Sequence, residues 1–425
     1  MTGTIVVSQL GARMHYAVPR ILHRSGQLEH FYTDICATKG WPRMLGLLPG
    51  KLRQRGGLRR LAGRVPAEIP GERMTCFAGI GLEYALRRMR ARTLSEETWA
   101  ALHAARQFSQ RVARRGFAGA TGFYGIAGEC LEQMQAARAG GLWTAVEQII
   151  APRGIVDRLT LEEAERFPGW QEAGPLDLHA EAFGAREKAE WAVADLIVCP
   201  SEFVLRTVIE SGGPAERCVL VPYGVDTRFQ IPDRNRIGGP LRVLTVGAVG
   251  LRKGSPYVAE AARRMAGRAE FRMVGTCSLP DPVRSVLSGT VELTGPVPRL
   301  EILDHYAWAD VFLLPSICEG SATVVYEALA AGLPVVTTAN TGSVVRHGTD
   351  GFIVPIRDAD AIVEALTSLH EGRGRLAEMS RQARVRAKDF DLAAYGRRLR
   401  LALDGARPAL PAAADGRMAV RVSSQ

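Results

Sequence analysis

The sequence reads as an α/β protein made of two halves joined by a linker, and three observations predict it. Its 425 residues are too many for one ordinary core and suit two or three domains of roughly 100–200 residues. From residue 242 onward, short β-rich runs alternate with helical patterns, the signature of βαβ units and a parallel sheet. A polar, turn-rich stretch over 232–240 separates that region from an earlier one, which itself opens as strand, loop and helix. In open parallel sheets ligands bind beyond the carboxyl ends of the strands, so a cleft between two such halves is the expected site.

Taken in order, residues 4–8 form a β-rich run that ends at Gln9-Leu10-Gly11-Ala12, and a helical stretch follows from about 15 to 24. The region 40–120 reads as helical and basic with Gly and Pro breaks, and its detail does not resolve. Residues 143–148 and 196–199 read as short buried strands, and Pro200-Ser201-Glu202 starts a helix with Ser201 as N-cap. These elements make residues 1–222 an N-terminal domain and 223–240 a linker. Strand-like runs at 242–246, 271–274, 291–294, 311–314, 335–338 and 352–354 build a second domain over 241–390. Helical patterns follow at 358–370, 375–388 and 392–403. The segment 391–406 is expected to pack back toward the N-terminal domain, and the Pro/Ala-rich 407–425 reads as a disordered tail.

Composition narrows the function classes. Charged residues at 23% describe a globular chain, and no apolar run approaches the ~20 residues of a spanning helix, which excludes an integral membrane protein. The first eleven residues lack a basic stretch before Ile5-Val6-Val7, so no signal peptide is expected. The seven cysteines are scattered without a C-x-x-C pair, which fits reduced thiols in a cytosol and argues against a disulfide framework or a zinc site. The expected location is cytoplasmic, with a peripheral place at the inner face of the membrane as a corollary of the charge.

That charge is lopsided. Residues 1–120 hold 20 Lys+Arg against 7 Asp+Glu, a net of +13, while the other 305 carry a net of −3. The densest stretch runs from Lys51 to Arg64, followed by Arg87, Arg88, Arg90 and Arg92 and then by 111–115. A basic face attracts phosphate on a lipid-linked substrate or an anionic membrane surface. Compositional bias explains it equally well, because 49 of the 54 basic residues are Arg. Nucleic acid is not the expected partner: no helix-turn-helix, finger or stacking-aromatic pattern lies beside the charge.

The segment that carries most chemistry is Leu314-Pro-Ser-Ile-Cys-Glu319-Gly-Ser-Ala-Thr-Val-Val-Tyr-Glu327. A buried strand ends at Pro315, a loop carries Glu319 to Ala322, and a helix runs on to Ala331. Small residues at a helix N-terminus let a ligand approach free N–H groups suited to phosphate. Glu319 lies just before the helix and Glu327 one to two turns into it. Two carboxylates flanking an anion site suit a diphosphate between two hydroxyl-rich groups.

This segment resembles the E-x7-E signature of family-4 retaining glycosyltransferases, which have the GT-B fold of two facing Rossmann-like domains. The likeness extends in order along the chain. Val246-Gly-Ala-Val-Gly-Leu-Arg252-Lys253-Gly254 is similar to the family's phosphate-binding loop, and Leu293-Thr-Gly295-Pro-Val to its nucleotide-side loop. Ala309-Asp310-Val-Phe-Leu-Leu-Pro-Ser, Thr341-Gly342 and Gly348-Thr-Asp-Gly351-Phe-Ile-Val follow in the family's order. Ala194-Asp195-Leu-Ile-Val-Cys-Pro-Ser201 and Pro222-Tyr-Gly224-Val-Asp226 look like the end of its first domain. Coverage is dense from about 190 to 390 and thin over 12–190.

The resemblance implies a hexosyl-type transferase that moves a sugar, with retention and without a metal, from a UDP- or GDP-linked donor to a saccharide or lipid-linked acceptor. By it, Glu327 would hydrogen-bond the donor ribose and Glu319 the hydroxyls of the transferred sugar. Gly320, Ser321 and Ala322 would lend backbone N–H groups, with Gly247 and Gly295 on the nucleotide side. Arg252 and Lys253 would neutralise the departing diphosphate. Lys253 is one of only five lysines. The family often has Arg after the loop's first Gly, where this chain has Ala248, so neutralisation rests on Arg252 and Lys253 or on another group. Gly11, at the first strand–helix turn, stands where the family brings a glycine loop to the donor; a plain turn glycine is the equal alternative. His15 and Glu147 are candidates for acceptor-side contacts, each with a structural role as the competing reading.

Other motifs lead nowhere catalytic. Asp358-Ala-Asp360 imitates a metal-binding D-x-D, but helix capping explains it more nearly. No cofactor beyond the donor and no metal is expected. Gly247 to Ser255 lacks the G-K-[ST] order of a P-loop, and neither G-x-G-x-x-G nor G-x-S-x-G occurs there. The alternative to an enzyme is a non-catalytic sugar-nucleotide-binding or scaffold protein on the same fold.

Overall fold

The computed structural model describes residues 3–47, 49, 56–170, 177–226, 229, 231, 238–298 and 301–406. The expected tail 407–425, the linker core 232–237 and the basic residues 51–55 lie outside the described residues, as does Arg299 at the end of the base-side loop.

Two parallel sheets form the two halves. The first contains β1 (Ile5–Gln9), β2 (Leu28–Thr33), β3 (Met74–Cys76), β4 (Gly122–Ile126), β5 (Trp143–Glu147), β6 (Leu196–Cys199) and β7 (Cys218–Leu220). Its order is β3-β2-β1-β4-β5-β6-β7, every pair parallel. The second contains β8 (Leu241–Val246), β9 (Ala269–Val274), β10 (Val291–Gly295), β11 (Val311–Leu314), β12 (Val335–Thr338) and β13 (Gly351–Val354), ordered β10-β9-β8-β11-β12-β13. Helices cover both faces, so β1, β4, β5, β6, β11 and β12 are buried at every position, and β6 and β11 are unbroken apolar runs. Each is therefore a Rossmann-like α/β domain.

Strand order reverses between β1 and β4 in one sheet and between β8 and β11 in the other. Chain direction diverges at these switch points and leaves a crevice beyond the strand ends. The loops after β1 and β4 thus face those after β8 and β11.

Several local expectations need correction. The first helix spans Ala17–Arg24 and not 15–24, because Met14, His15 and Tyr16 all hold positive φ and form a left-handed turn. The region 40–120 is not purely helical: the edge strand β3 sits ahead of the helices Ala78–Arg90 and Leu94–Arg115. Strands β2, β4 and β7 had no counterpart in the sequence reading. Capping residues do act locally. Ser201 accepts the Val204 N–H at 3.2 Å, Asp358 that of Ala361 at 2.8 Å and Asp391 that of Ala394 at 2.6 Å.

The helix Leu392–Gly405 lies on the N-terminal half. Gly396 sits over Ile21, and Arg398 donates to the carbonyls of Pro222 and Tyr223, each at 3.1 Å. Residues 223–226, placed in the linker from sequence, are packed under this helix: Tyr223 is buried and Val225 bridges to Asp391. Elsewhere the halves are pinned by Glu163, wholly buried, which accepts from Arg357 at 2.5 Å and from the Tyr257 hydroxyl at 2.8 Å.

Candidate active site

The two switch points open onto one cleft of about 720 Å³. Its C-terminal wall begins at Gly247, directly after β8, and continues to the turn Leu251–Lys253. This loop is fixed at its end by Gly254 (φ +71°), where a Cβ would stand 2.0 Å from the Pro315 carbonyl oxygen. Only glycine fits there, and the close packing aims Arg252 and Lys253 at the loop after β11.

Glu319, on that loop, takes both cations: its Oε1 lies 2.6 Å from Arg252 and 2.7 Å from the Lys253 ammonium. Lys253 and Glu319 are nearly buried, with side chains 13% and 12% exposed, whereas Arg252 is 38% exposed. Burial pushes the Lys253 pKa down and the Glu319 carboxylate opposes that shift. One carboxylate is therefore shared by two cations, an excess of positive charge where the helix Thr323–Ala330 also points its N-terminus.

Gly320 follows. A Cβ there would be 1.8 Å from the Ile149 carbonyl oxygen of the facing domain, and the Ser201 hydroxyl donates to the Gly320 carbonyl at 2.5 Å. The residue is a joint between domains as well as part of the cleft wall. Among the described residues the amides of Gly320, Ser321, Thr323 and Val324 have no backbone partner, and all four residues line the cleft. The Ala322 amide does not join them, contrary to expectation: it donates to the Thr341 carbonyl at 3.2 Å. The Ser321 hydroxyl is also committed, to Tyr326 at 2.7 Å and the Gly342 carbonyl at 3.1 Å. Glu327 lines the cleft, with its Oε2 accepting the Tyr306 hydroxyl at 3.0 Å.

Arg252, Lys253, Glu319, Gly247, Gly320, Ser321, Ala322, Glu327 and His15 thus meet in one cavity. Three other candidates do not. Gly11 has its N–H on Asp34 at 3.0 Å, so that amide is spent, and its neighbours Leu10 and Ala12 form the wall instead. Gly295 ends β10, two strands from β8, with its carbonyl on the Gly275 amide. Glu147 is 1% exposed and sits behind the wall, accepting from Tyr124 and Tyr223 at 2.6 Å each and from Arg13 at 3.5 Å.

The sequence reading missed Arg13, Glu129, Tyr223 and Tyr306. Glu129 stands beyond β4 and accepts the Leu10 N–H at 2.8 Å; burial, helped by the nearby Asp34 and Glu190 charges, pushes its pKa up to about 8. Recognition of β4 would have flagged it, since an acid just beyond a strand end at a switch point is a site signal. Arg13 and Tyr306 carry no local signal. Among the described residues no group of three or more His, Cys, Asp or Glu is placed to hold a metal ion.

Comparison with known proteins bears on the fold and on the C-terminal domain. Residues 240–372 match the family model described as glycosyl transferases group 1. The amylovoran biosynthesis glycosyltransferase AmsK of Erwinia amylovora is 28% identical over 215 residues, 47% of this chain and 53% of its own. A GDP-mannose-dependent alpha-(1-6)-phosphatidylinositol monomannoside mannosyltransferase of Mycobacterium tuberculosis is 28% identical over 216 residues, 45% of this chain and 56% of its own. The chain thus spans about half the length of the curated relatives it matches. Among solved structures, Anabaena HepE in complex with UDP superposes with a TM-score of 0.62 at 14% identity, covering 95% of this chain and 100% of that one. Sucrose-phosphate synthase from Thermosynechococcus elongatus gives a TM-score of 0.63 at 16% identity, covering 95% of this chain and 98% of that one. The chain has the GT-B architecture of two Rossmann-like domains, and its C-terminal domain carries the match to glycosyl transferases group 1.

Proposed function

We propose that the protein is a glycosyltransferase that moves a sugar from a nucleoside-diphosphate sugar to a saccharide or lipid-linked acceptor. The observation that carries this reading is the convergence of Arg252, Lys253, Glu319 and uncommitted amides at the switch point of the domain matching that family. A diphosphate laid on this wall would take over the two cations and accept from the amides of Gly320, Ser321, Thr323 and Val324. Glu319, released from its ion pairs, would turn to hydroxyls of the transferred sugar. Glu327, oriented by Tyr306, would hold the ribose. Negative charge grows on the diphosphate as the glycosidic bond breaks, and fixed cations and dipoles in a partly dry cleft stabilise that charge without reorganising.

On the E-x7-E resemblance the transfer retains configuration: the acceptor oxygen attacks from the leaving-group face, and a diphosphate oxygen takes its proton. Arg252 and Lys253 do the work a metal would otherwise do, so turnover is expected to survive chelator. Relatives and neighbours have names citing GDP-mannose and UDP, so both donor types belong in the test. The experiment is release of nucleoside diphosphate from a panel of UDP- and GDP-sugars, with and without saccharide acceptors. Binding without release across the panel would favour a non-catalytic sugar-nucleotide binder instead.

The location reading extends to an anionic lipid surface. Residues 51–55 and the side chains of Arg59 and Arg60 are outside the described set, so the supporting feature is the helix Ala78–Arg90. Leu82, Ala85, Leu86 and Met89 fall on one stripe at i, i+3, i+4 and i+7, and this stripe faces outward, with Met89 76% exposed. Exposed Arg88 and Arg90 lie beside it. Apolar side chains beside arginines suit the headgroup boundary of an anionic bilayer. Leu86→Glu with Met89→Glu should reduce sedimentation with phosphatidylglycerol vesicles while leaving nucleotide binding intact. Equal sedimentation of variant and wild type sinks the surface reading.

A further inference from the structure

The N-terminal wall of the cleft holds a cation that the reading above leaves unused. Arg13 follows β1, and the three residues after it, Met14, His15 and Tyr16, hold φ of 44°, 53° and 61°. Left-handed backbone in three successive non-glycine residues is strained, and it persists only where the surroundings over-determine it. Here they do. Tyr16 is fully buried, edge-on to Phe31 with ring centroids 5.5 Å apart, and Arg13 is anchored from beneath.

The anchor is a buried acid. Glu147 receives the Tyr124 and Tyr223 hydroxyls at 2.6 Å each and Nε of Arg13 at 3.5 Å. Tyr223 also takes a second nitrogen of Arg13, and its ring centroid lies 5.2 Å from the guanidinium carbon. Two of the three guanidinium nitrogens are thereby occupied. Among the described residues the third, Nη1, has no protein partner, and the side chain is 26% exposed in the same cleft that Arg252 and Lys253 line from the other domain. An arginine needed only to neutralise Glu147 would gain nothing from a strained loop at the cleft wall. A fixed guanidinium with one edge open fits an anionic oxygen, phosphate above all.

We infer that Arg13 is the N-terminal domain's contact to the terminal phosphate of the donor diphosphate, so that the diphosphate is held from both walls, by Arg13 on one and by Arg252 with Lys253 on the other. The inference rests on the nucleotide-sugar reading and adds to it. Phosphate bound this way bridges the domains, and a nucleoside monophosphate, which lacks the terminal group, does not reach the second wall.

The test is calorimetric titration of UDP, GDP, UMP and GMP into wild type, Arg13→Lys and the double variant Arg13→Gln/Glu147→Gln, which avoids stranding a buried carboxylate. In the double variant the preferred diphosphate should bind about tenfold more weakly or worse, as expected for a lost charged hydrogen bond. The monophosphate should change less than about twofold. Arg13→Lys, which keeps charge without the fork, should fall between them and serves if the double variant does not fold. Diphosphate affinity equal to wild type in a folded variant overturns the assignment, as does an equal loss for mono- and diphosphate, which would mark a general structural role. Failure of wild type to bind any of the diphosphates defeats the donor reading and this assignment together, whereas wild-type binding that the substitutions do not touch defeats the assignment alone.

Discussion

The two walls of the cleft share a strand order but are built differently. The C-terminal wall is local in sequence: Gly247 to Gly254 is one loop, and Glu319 to Glu327 is one loop and helix. Its ligand-facing groups are largely backbone amides and the adjacent Arg252 and Lys253. The N-terminal wall is assembled from afar. Arg13 follows β1, Glu129 follows β4 and Tyr223 lies beyond β7, while Glu147 at the end of β5 braces Arg13 and Tyr223 from behind. A wall made from backbone and consecutive residues leaves a pattern in the chain, whereas one made from single side chains at separate strand ends leaves none until the sheet is known.

The most damaging change to the first wall should be Lys253→Ala. Removal of a nearly buried cation from developing charge should cost about a hundredfold or more in turnover, with thermal stability near wild type because the partner Glu319 retains Arg252. Turnover within a few fold of wild type would transfer the burden to the second wall. Gly320→Ala probes the seam itself. Its Cβ would collide with the Ile149 carbonyl oxygen at 1.8 Å, so the domains must part. A loss of about tenfold in kcat/KM is expected from the displaced geometry, read together with small-angle scattering for an opened molecule. An unchanged scattering profile with normal kinetics would mean the contact does not set the cleft.

The smallest effect belongs to Glu129 on the second wall and is a pH effect. Its folded pKa of about 8 lies above the ordinary carboxyl value of 4.5, so between those values the folded protein keeps a proton that the unfolded chain gives up. Stability therefore falls as pH rises through this window and levels off above it. Glu129→Gln cannot ionise, so its melting temperature relative to wild type should rise by about 3 °C or more from pH 5 to pH 9. A constant difference across that range would place the carboxyl's titration elsewhere.

Much of the second domain was legible because its strands are apolar runs at regular spacing, and all six lie within two residues of the bounds the sequence predicts. The first domain was not. β2, Leu-Glu-His-Phe-Tyr-Thr, mixes charge into a strand; β4 carries glycine at two of its five positions; β3 and β7 have three residues each. Such segments have weak β signals and owe their state to pairing with their neighbours, β2 with β1, β3 with β2, β4 with β1 and β5, and β7 with β6. The site followed that divide only in part, since His15 of the first domain lines the cleft while Ala322 and Gly295 of the second have backbone groups already bonded. Glu319, Glu327, Arg252 and Lys253 come together in the cleft, while Glu147 lies beneath it, Gly11 has its amide spent on Asp34, and Ala322 has its amide spent on Thr341. Hydrogen bonding consumed those groups, and bonding partners distant in sequence cannot be read from spacing.

The pairing of one carboxylate with Arg252 and Lys253 has a consequence for selectivity. Glu319 acts as an internal competitor, a resident anion that any incoming one must evict. A monoanion offers a one-for-one exchange and gains little from it. A diphosphate brings enough charge and enough oxygens to satisfy both cations and the neighbouring amides at once. These ion pairs therefore set a threshold, so that a millimolar monoanion such as acetate should leave them in place while a scarce nucleoside diphosphate displaces them.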